Sequence, residues 1–193
     1  MCNLYTQTKS VDEVARLFRG LQMPLRFPEG APNLQQREIA ITDLAPIVRL
    51  RDDEGPELIV RRWSWSGPHG KPVFNFRSDG REFGSGRCLI MADGFFEFTA
   101  STDPKLKRKH KWLFTLRDSP IFAIAGLWRN DGQVGEAFTM LTTQPGADIR
   151  PYHNRQIVVL GTSDFSRWLD PLVPAKNVLR PLPAGSLEVR QIC

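Results

Sequence analysis

The sequence predicts a β-rich α/β fold: a single domain over residues 1–193, built on a curled, barrel-like, mainly antiparallel sheet with a few short helices. Short apolar segments recur along most of the chain between Gly-, Pro-, Asn- and Asp-bearing turns, the pattern of many strands. Helical signals are confined to two places. A length of 193 residues, 41% hydrophobic and 24% charged, suits one compact domain whose core needs no disulfide or metal support.

The elements follow in order. Ser10 and Glu13 form a Ser-x-x-Glu capping box, Val11, Val14 and Phe18 share one helical face, and Gly20 is expected to stop that helix. Residues 27–34 read as loop. Residues 47–50 and 58–63 read as strands of a hairpin connected through Arg51-Asp52-Asp53-Glu54-Gly55-Pro56. Ser66-Gly67-Pro68-His69-Gly70 has the composition of an exposed loop. Further strands are expected at 73–76, 88–91, 95–98, 112–116, 121–125, 137–142, 157–160 and 187–192. A second helix is expected to begin at Thr162 or Ser163 and to turn Phe165, Trp168 and Leu169 inward.

Composition excludes several classes. Residues 1–10 are polar and lack the apolar core of a secretory signal. The longest apolar stretch, 121–128, is too short to span a bilayer, so a cytoplasmic protein without a membrane partner is expected. The cysteines, Cys2, Cys88 and Cys193, form no Cys-x-x-Cys pair, which supports neither a disulfide framework nor a metal site. A net charge of +5 and a pI near 9.4 suit a polyanionic partner, and suit an ordinary basic enzyme equally well.

Cys2 is the most informative residue. Removal of Met1 leaves an amine and a thiol on adjacent carbons, groups that titrate near ~7.7–8.0 and ~8.5 when unperturbed. An aldehyde forms an imine with such an amine, and the thiol then closes a five-membered thiazolidine, an efficient intramolecular step. Position alone is also compatible with an ordinary cysteine.

Other segments add context. In Phe74-Asn75-Phe76-Arg77, strand alternation points both phenylalanines into the core, with Asn75 and Arg77 sharing a cleft face where Arg77 suits a phosphate. An edge strand with a polar outer face fits the same pattern. Glu97, among Phe95, Phe96 and Phe98, is expected to be desolvated and to serve as general acid or base, unless it is a structural partner of Arg87. His153 opens a polar cluster before an apolar strand. Arg61-Arg62-Trp63-Ser64-Trp65 alternates charge with aromatic platforms, which suits single-stranded nucleic acid. The basic run 105–111 reads as a solvated loop.

Taken in order, these pieces resemble the SRAP family (SOS-response-associated peptidase), also called abasic site processing proteins. The matching points are Met1-Cys2, Arg62-Trp63, Asn75-x-Arg77 and the segment Arg87-Cys88-Leu89-Ile90-x-Ala92-Asp93-Gly94-Phe95-Phe96-Glu97. Ala125-Gly126-Leu127-Trp128, Phe138-Thr139-x-Leu141-Thr142-Thr143 and His153-x-Arg155 follow. The resemblance implies that Cys2 is the nucleophile, that Asn75 holds or polarises the site, and that Glu97 and His153 are the acid/base pair. It also implies that Arg77 binds phosphate, and Arg62, Trp63, Trp65 and Arg155 are expected as further DNA contacts. The implied activity is covalent capture of abasic sites in single-stranded DNA, with self-removal of Met1 and lyase-type chemistry. A monomer with no cofactor and no metal is expected. The chain departs from the family pattern at Asn3-Leu4, where many members have Gly-Arg, and at Trp63-Ser64, where Trp-Gly is familiar.

Two rival readings use the same residues. A cysteine or N-terminal-nucleophile hydrolase acting on a peptide or amide needs Cys2, Glu97 and His153 but no basic groove. A non-catalytic single-strand binding module needs the groove and is indifferent to Cys2.

Overall fold

The hairpin expected around residues 47–63 is the first part of a closed barrel. The computed structural model describes residues 2–51, 54–101 and 109–192. In chain order the strands are β1 (Leu4–Gln7), β2 (Arg37–Ala40), β3 (Leu44–Leu50), β4 (Pro56–Trp63), β5 (Trp65–Ser66), β6 (Pro72–Val73) and β7 (Asn75–Arg77). They continue with β8 (Arg87–Ala92), β9 (Gly94–Thr99), β10 (His110–Leu116), β11 (Phe122–Asp131) and β12 (Gly135–Thr143). Last come β13 (Gln156–Ile157), β14 (Val159–Leu160) and β15 (Leu187–Gln191). The α-helices are α1 (Val11–Gly20) and α2 (Phe165–Leu169).

Strands β4, β3, β8, β11 and β12 pair in a ring, because β12 bonds both to β11 and, in parallel, to β4. Closure leaves these strands no free edge. A second sheet has the order β15-β10-β9-β1-β2. Alternate residues of the barrel strands serve two cores. Ile47, Ile59, Ile90, Ile124 and Phe138 join Tyr5, Phe95 and Phe114 of the second sheet. Val48, Leu58, Leu89, Ala123 and Leu141 pack instead with Val14 and Phe18 of α1 and Phe165 and Trp168 of α2. Burial on both faces is why these strands read as nearly unbroken apolar runs.

The capping box at α1 forms as read, with the Glu13 backbone N–H donating to Ser10 Oγ at 3.2 Å and the Ser10 N–H donating to Glu13 Oε2 at 2.8 Å. The helix ends at Gly20, as expected. The left-handed residue is Gln22, at φ 58°, with Gln22 N–H bonded to Arg19 O and Met23 N–H to Phe18 O, a Schellman closure. The loop 66–70 is an exposed turn between β5 and β6, and Gly67 is required there because a Cβ would lie 2.6 Å from Lys71 O. The strand expected at 73–76 is broken at Phe74. Phe74 packs on the first core and Phe76 on the second, so the two do not share a face. Strands β1 and β2 were not anticipated. The connection around Asp52 and Asp53 lies partly outside the described residues, as does most of the run 105–111.

Candidate active site at the amino terminus

Cys2 owes its place to β1, which lies between β2 and β9. Tyr5 faces Phe95 and Thr6 faces Gly94, and carrying this antiparallel register back sets Asn3 opposite Glu97. Asp93 anchors the other end of β1. Its carboxylate accepts from Thr6 Oγ1 at 2.5 Å and from the Thr8 N–H at 2.6 Å. Only a short segment separates this clamp from Cys2, so little freedom is left at the amino terminus.

Cys2 is buried at 1% exposure, and its thiol donates to Leu4 O at 3.3 Å. Burial, and then the nearby Glu97 carboxylate, push the thiol up to about 12. The unperturbed thiol acidity assumed from sequence is therefore corrected: at neutral pH the group is a thiol and needs a base to become a nucleophile. Glu97 is the neighbouring carboxyl group. Burial pushes it up to about 7, against the lowering effects of the amino-terminal charge and of a hydrogen bond from the Cys2 backbone.

Glu97 is desolvated as read in the sequence, but only one of the flanking phenylalanines shares its side of the strand. Strand parity puts Glu97 on the same side as Phe95, while Phe96, covered by the Lys111 ammonium at 4.0 Å, is on the other. The cross-strand neighbour of Glu97 is Trp112. Arg87 is not a partner of the carboxylate; its guanidinium donates to the carbonyls of Phe83, Asp170 and Val173.

Asn75 and His153 reach the same place from two sides of β12. Asn75 lies on β7, parallel to β12 and level with Met140, and its Nδ2 donates to Cys2 O at 2.8 Å. Asn75 Oδ1 is buried and takes no hydrogen bond among the described residues. His153 ends a helical turn closed by its N–H to Ile149 O, and neighbouring Tyr152 packs against Trp112 and Phe114 at 4.9 and 5.2 Å between ring centres. Burial, then the amino-terminal charge, lowers the pKa of His153. Its Nδ1 is 3.0 Å from the Arg155 backbone nitrogen and 3.1 Å from the Arg155 carbonyl oxygen. A neutral thiol, a carboxyl group titrating near neutrality and a held imidazole can together move protons at the amino terminus.

The structure separates the expected DNA contacts. Arg77 is exposed at the end of β7, on the edge of this site. Trp63 is fully buried: its Nε1 donates to Phe74 O at 2.9 Å and its ring meets Tyr5 edge-on at 5.3 Å. It cannot stack on a base, because a barrel strand turns that face inward. Trp65 is 6% exposed and already covered by the Arg129 guanidinium, 4.3 Å from its ring centre. Arg62 is half-buried and donates to Thr42 O at 3.3 Å. Arg155 is buried and paired with Asp79 at 2.6 Å. Arg150 was missed. It lines an open cleft of ≈ 550 Å³ with Gln144, Tyr152, His153 and Asn154, and its place three residues before His153 in a helical turn is the signal that could have found it.

No helix among the described residues is long and apolar enough to cross a membrane. The sequence profile described as SOS response associated peptidase (SRAP) matches residues 1–193. The Bacillus subtilis (strain 168) protein YobE, named an abasic site processing protein, is 25% identical across all of this chain and 94% of its own length. YoaM of the same organism, named likewise, is 29% identical across all of this chain and 91% of its own. Among solved structures, a Bordetella bronchiseptica protein superposes with a TM-score of 0.75 at 21% identity, over 100% of both chains. A Bacteroides thetaiotaomicron protein does so at 0.74 and 18%, over 100% of this chain and 92% of its own. The chain belongs to the SRAP family of SOS response associated peptidases.

Proposed function

We propose that this protein captures abasic sites in single-stranded DNA through Cys2, after removal of Met1, as a thiazolidine. The observation that carries the reading is the convergence on residue 2 of Asn75, bonded to its carbonyl, and Glu97, close enough to perturb its thiol. The naming of relatives as abasic site processing proteins supports the same substrate.

In this reading the Cys2 amine adds to the aldehyde of the ring-opened sugar. Protonated Glu97 gives its proton to the departing hydroxyl, so that water leaves and an imine remains. That imine keeps its nitrogen hydrogen and is cationic. When the carboxylate takes the thiol proton and sulfur bonds to the imine carbon, the ring nitrogen is therefore left as a neutral N–H and Glu97 is protonated again. The net change is aldehyde plus aminothiol giving thiazolidine plus water. His153 serves the opening sugar, where one proton must leave the anomeric hydroxyl and one must reach the ring oxygen. Asn75 bonds to the carbonyl after the Met1–Cys2 peptide bond, so it holds residue 2 rather than polarising that bond. Glu97 and His153 are the groups available for self-removal of Met1 and for lyase-type chemistry. Arg77 and Arg150 are the exposed cations placed to meet phosphates.

Intact mass after incubation with an abasic oligonucleotide tests the reading. The processed protein gains the oligonucleotide mass less one water. Retained Met1 turns the amine into an amide and should abolish the stable adduct, while Cys2→Ala should leave only a labile imine that borohydride traps. A stable adduct from the Met1-retaining form would overturn the thiazolidine.

A further inference from the structure

Arg155 stands where a phosphate contact was expected, and its surroundings suit another task. The guanidinium is buried, and its Nη2 donates to Asp79 Oδ2 at 2.6 Å and to Thr142 O at 3.0 Å. Thr142 O also accepts from the Ser78 N–H at 2.9 Å and from Ser78 Oγ at 2.8 Å. The pair therefore spans the end of β12 and joins two segments. One is the continuation of β7, which carries Asn75 and Arg77. The other is the turn that carries His153.

The backbone of Arg155 does the second half of the work. Its N–H is 3.0 Å and its C=O 3.1 Å from His153 Nδ1. In neutral imidazole with the proton on Nδ1, Nδ1–H donates to that C=O and Nε2 carries the lone pair that can accept a proton. In imidazolium, Nδ1–H donates to that C=O. One residue thus offers a partner to Nδ1 in both protonation states, which lets the ring exchange a proton at Nε2 without turning.

We infer that the Asp79–Arg155 ion pair is a clasp that positions His153 for proton transfer, and that Arg155 is a positioning residue rather than a DNA ligand. This rests on the reading of His153 as an acid/base group. Asp79 links the clasp to the phosphate side of the site as well, since the Arg77 charge also acts on its carboxylate. The amino-terminal charge and the Arg155 backbone act on His153, and the Arg155 side chain is in turn paired with Asp79.

The test uses the full chain with Met1 removed and compares Arg155→Ala, Arg155→Lys and Asp79→Asn with the parent. Cross-linking to an abasic single-stranded oligonucleotide, affinity for the undamaged oligonucleotide and the NMR titration of His153 are measured for each. The chain has 3 histidines, so the ring signals can be assigned by single substitutions. Cross-linking should slow by about 10-fold or more in Arg155→Ala and Asp79→Asn, because small misplacements of a catalytic group are costly. Arg155→Lys should recover part of the loss, the His153 titration should move in the two slow variants, and undamaged DNA should bind within about 2-fold of the parent. If Arg155→Ala instead weakens undamaged DNA binding and lowers its salt dependence by about one phosphate contact, Arg155 is a DNA ligand and the clasp is wrong. An unmoved His153 titration in folded Asp79→Asn, judged by its melting curve, also overturns it. Because that titration needs no substrate, it decides on the clasp even if the parent protein forms no adduct.

Discussion

The side-chain amide of Asn75 donates a 2.8 Å hydrogen bond to the carbonyl of Cys2, across 73 positions of sequence. The bond ties the start of the chain to a strand that itself rides on β12, so the nucleophile and the barrel share one frame. Asn75→Ala removes the donor and leaves a buried carbonyl unpaired, at a cost of about 1–3 kcal/mol. The expected result is a cross-linking rate reduced by roughly 10²-fold with a modest loss of thermal stability. Single-turnover gels and melting curves check it; an unchanged rate would mean that Asn75 is structural.

Glu97 links chemistry to stability. Its folded pKa is raised from the ordinary 4.5 to about 7, so its contribution to stability is complete below the ordinary value and is lost as pH rises through about 7. Glu97→Gln does not titrate. The variant should match the parent near pH 4.5 and exceed it above pH 8 by on the order of 3 kcal/mol, while cross-linking slows by roughly 10²–10⁴-fold. Denaturant titrations across that range measure the first effect. A constant difference with pH would show that the carboxyl is not perturbed.

Trp63 and Arg77 should respond in opposite ways. Trp63→Ala empties a fully buried site and is expected to cost about 3–5 kcal/mol, with DNA binding unaltered in whatever fraction stays folded. Arg77→Ala should leave the melting temperature within about 1 °C and weaken binding to undamaged single strands, with a shallower salt dependence. Titrations at several salt concentrations separate the two. A salt slope unchanged in Arg77→Ala would remove this residue from the DNA interface.

Ser64 has φ 93°, in the region that favours glycine, and it is buried with its hydroxyl unpaired among the described residues. Ser64→Gly should relieve strain and raise stability by about 1 kcal/mol, or roughly 2–4 °C in melting temperature. A lower melting temperature would show that the backbone there is not strained.

Local physics was legible in the sequence. The capping box at Ser10 and Glu13, the inward face of α2 and the barrel strands follow from hydrogen-bonding capacity and apolar periodicity within a few residues. Cys2, Asn75, Glu97 and His153 could be picked out by their chemistry, and the family resemblance supplied roles for them. What the sequence could not supply was which groups satisfy one another across the fold. Strand β1 has little pattern of its own and exists because β2, β9 and the Asp93 carboxylate provide its partners. Trp63 and Arg155 look like DNA contacts when read along the chain, yet a barrel face buries the first, and the second is buried and paired with Asp79. Burial and charge pairing are long-range properties: the same tryptophan or arginine is a surface contact or an internal support according to what the tertiary structure sets beside it.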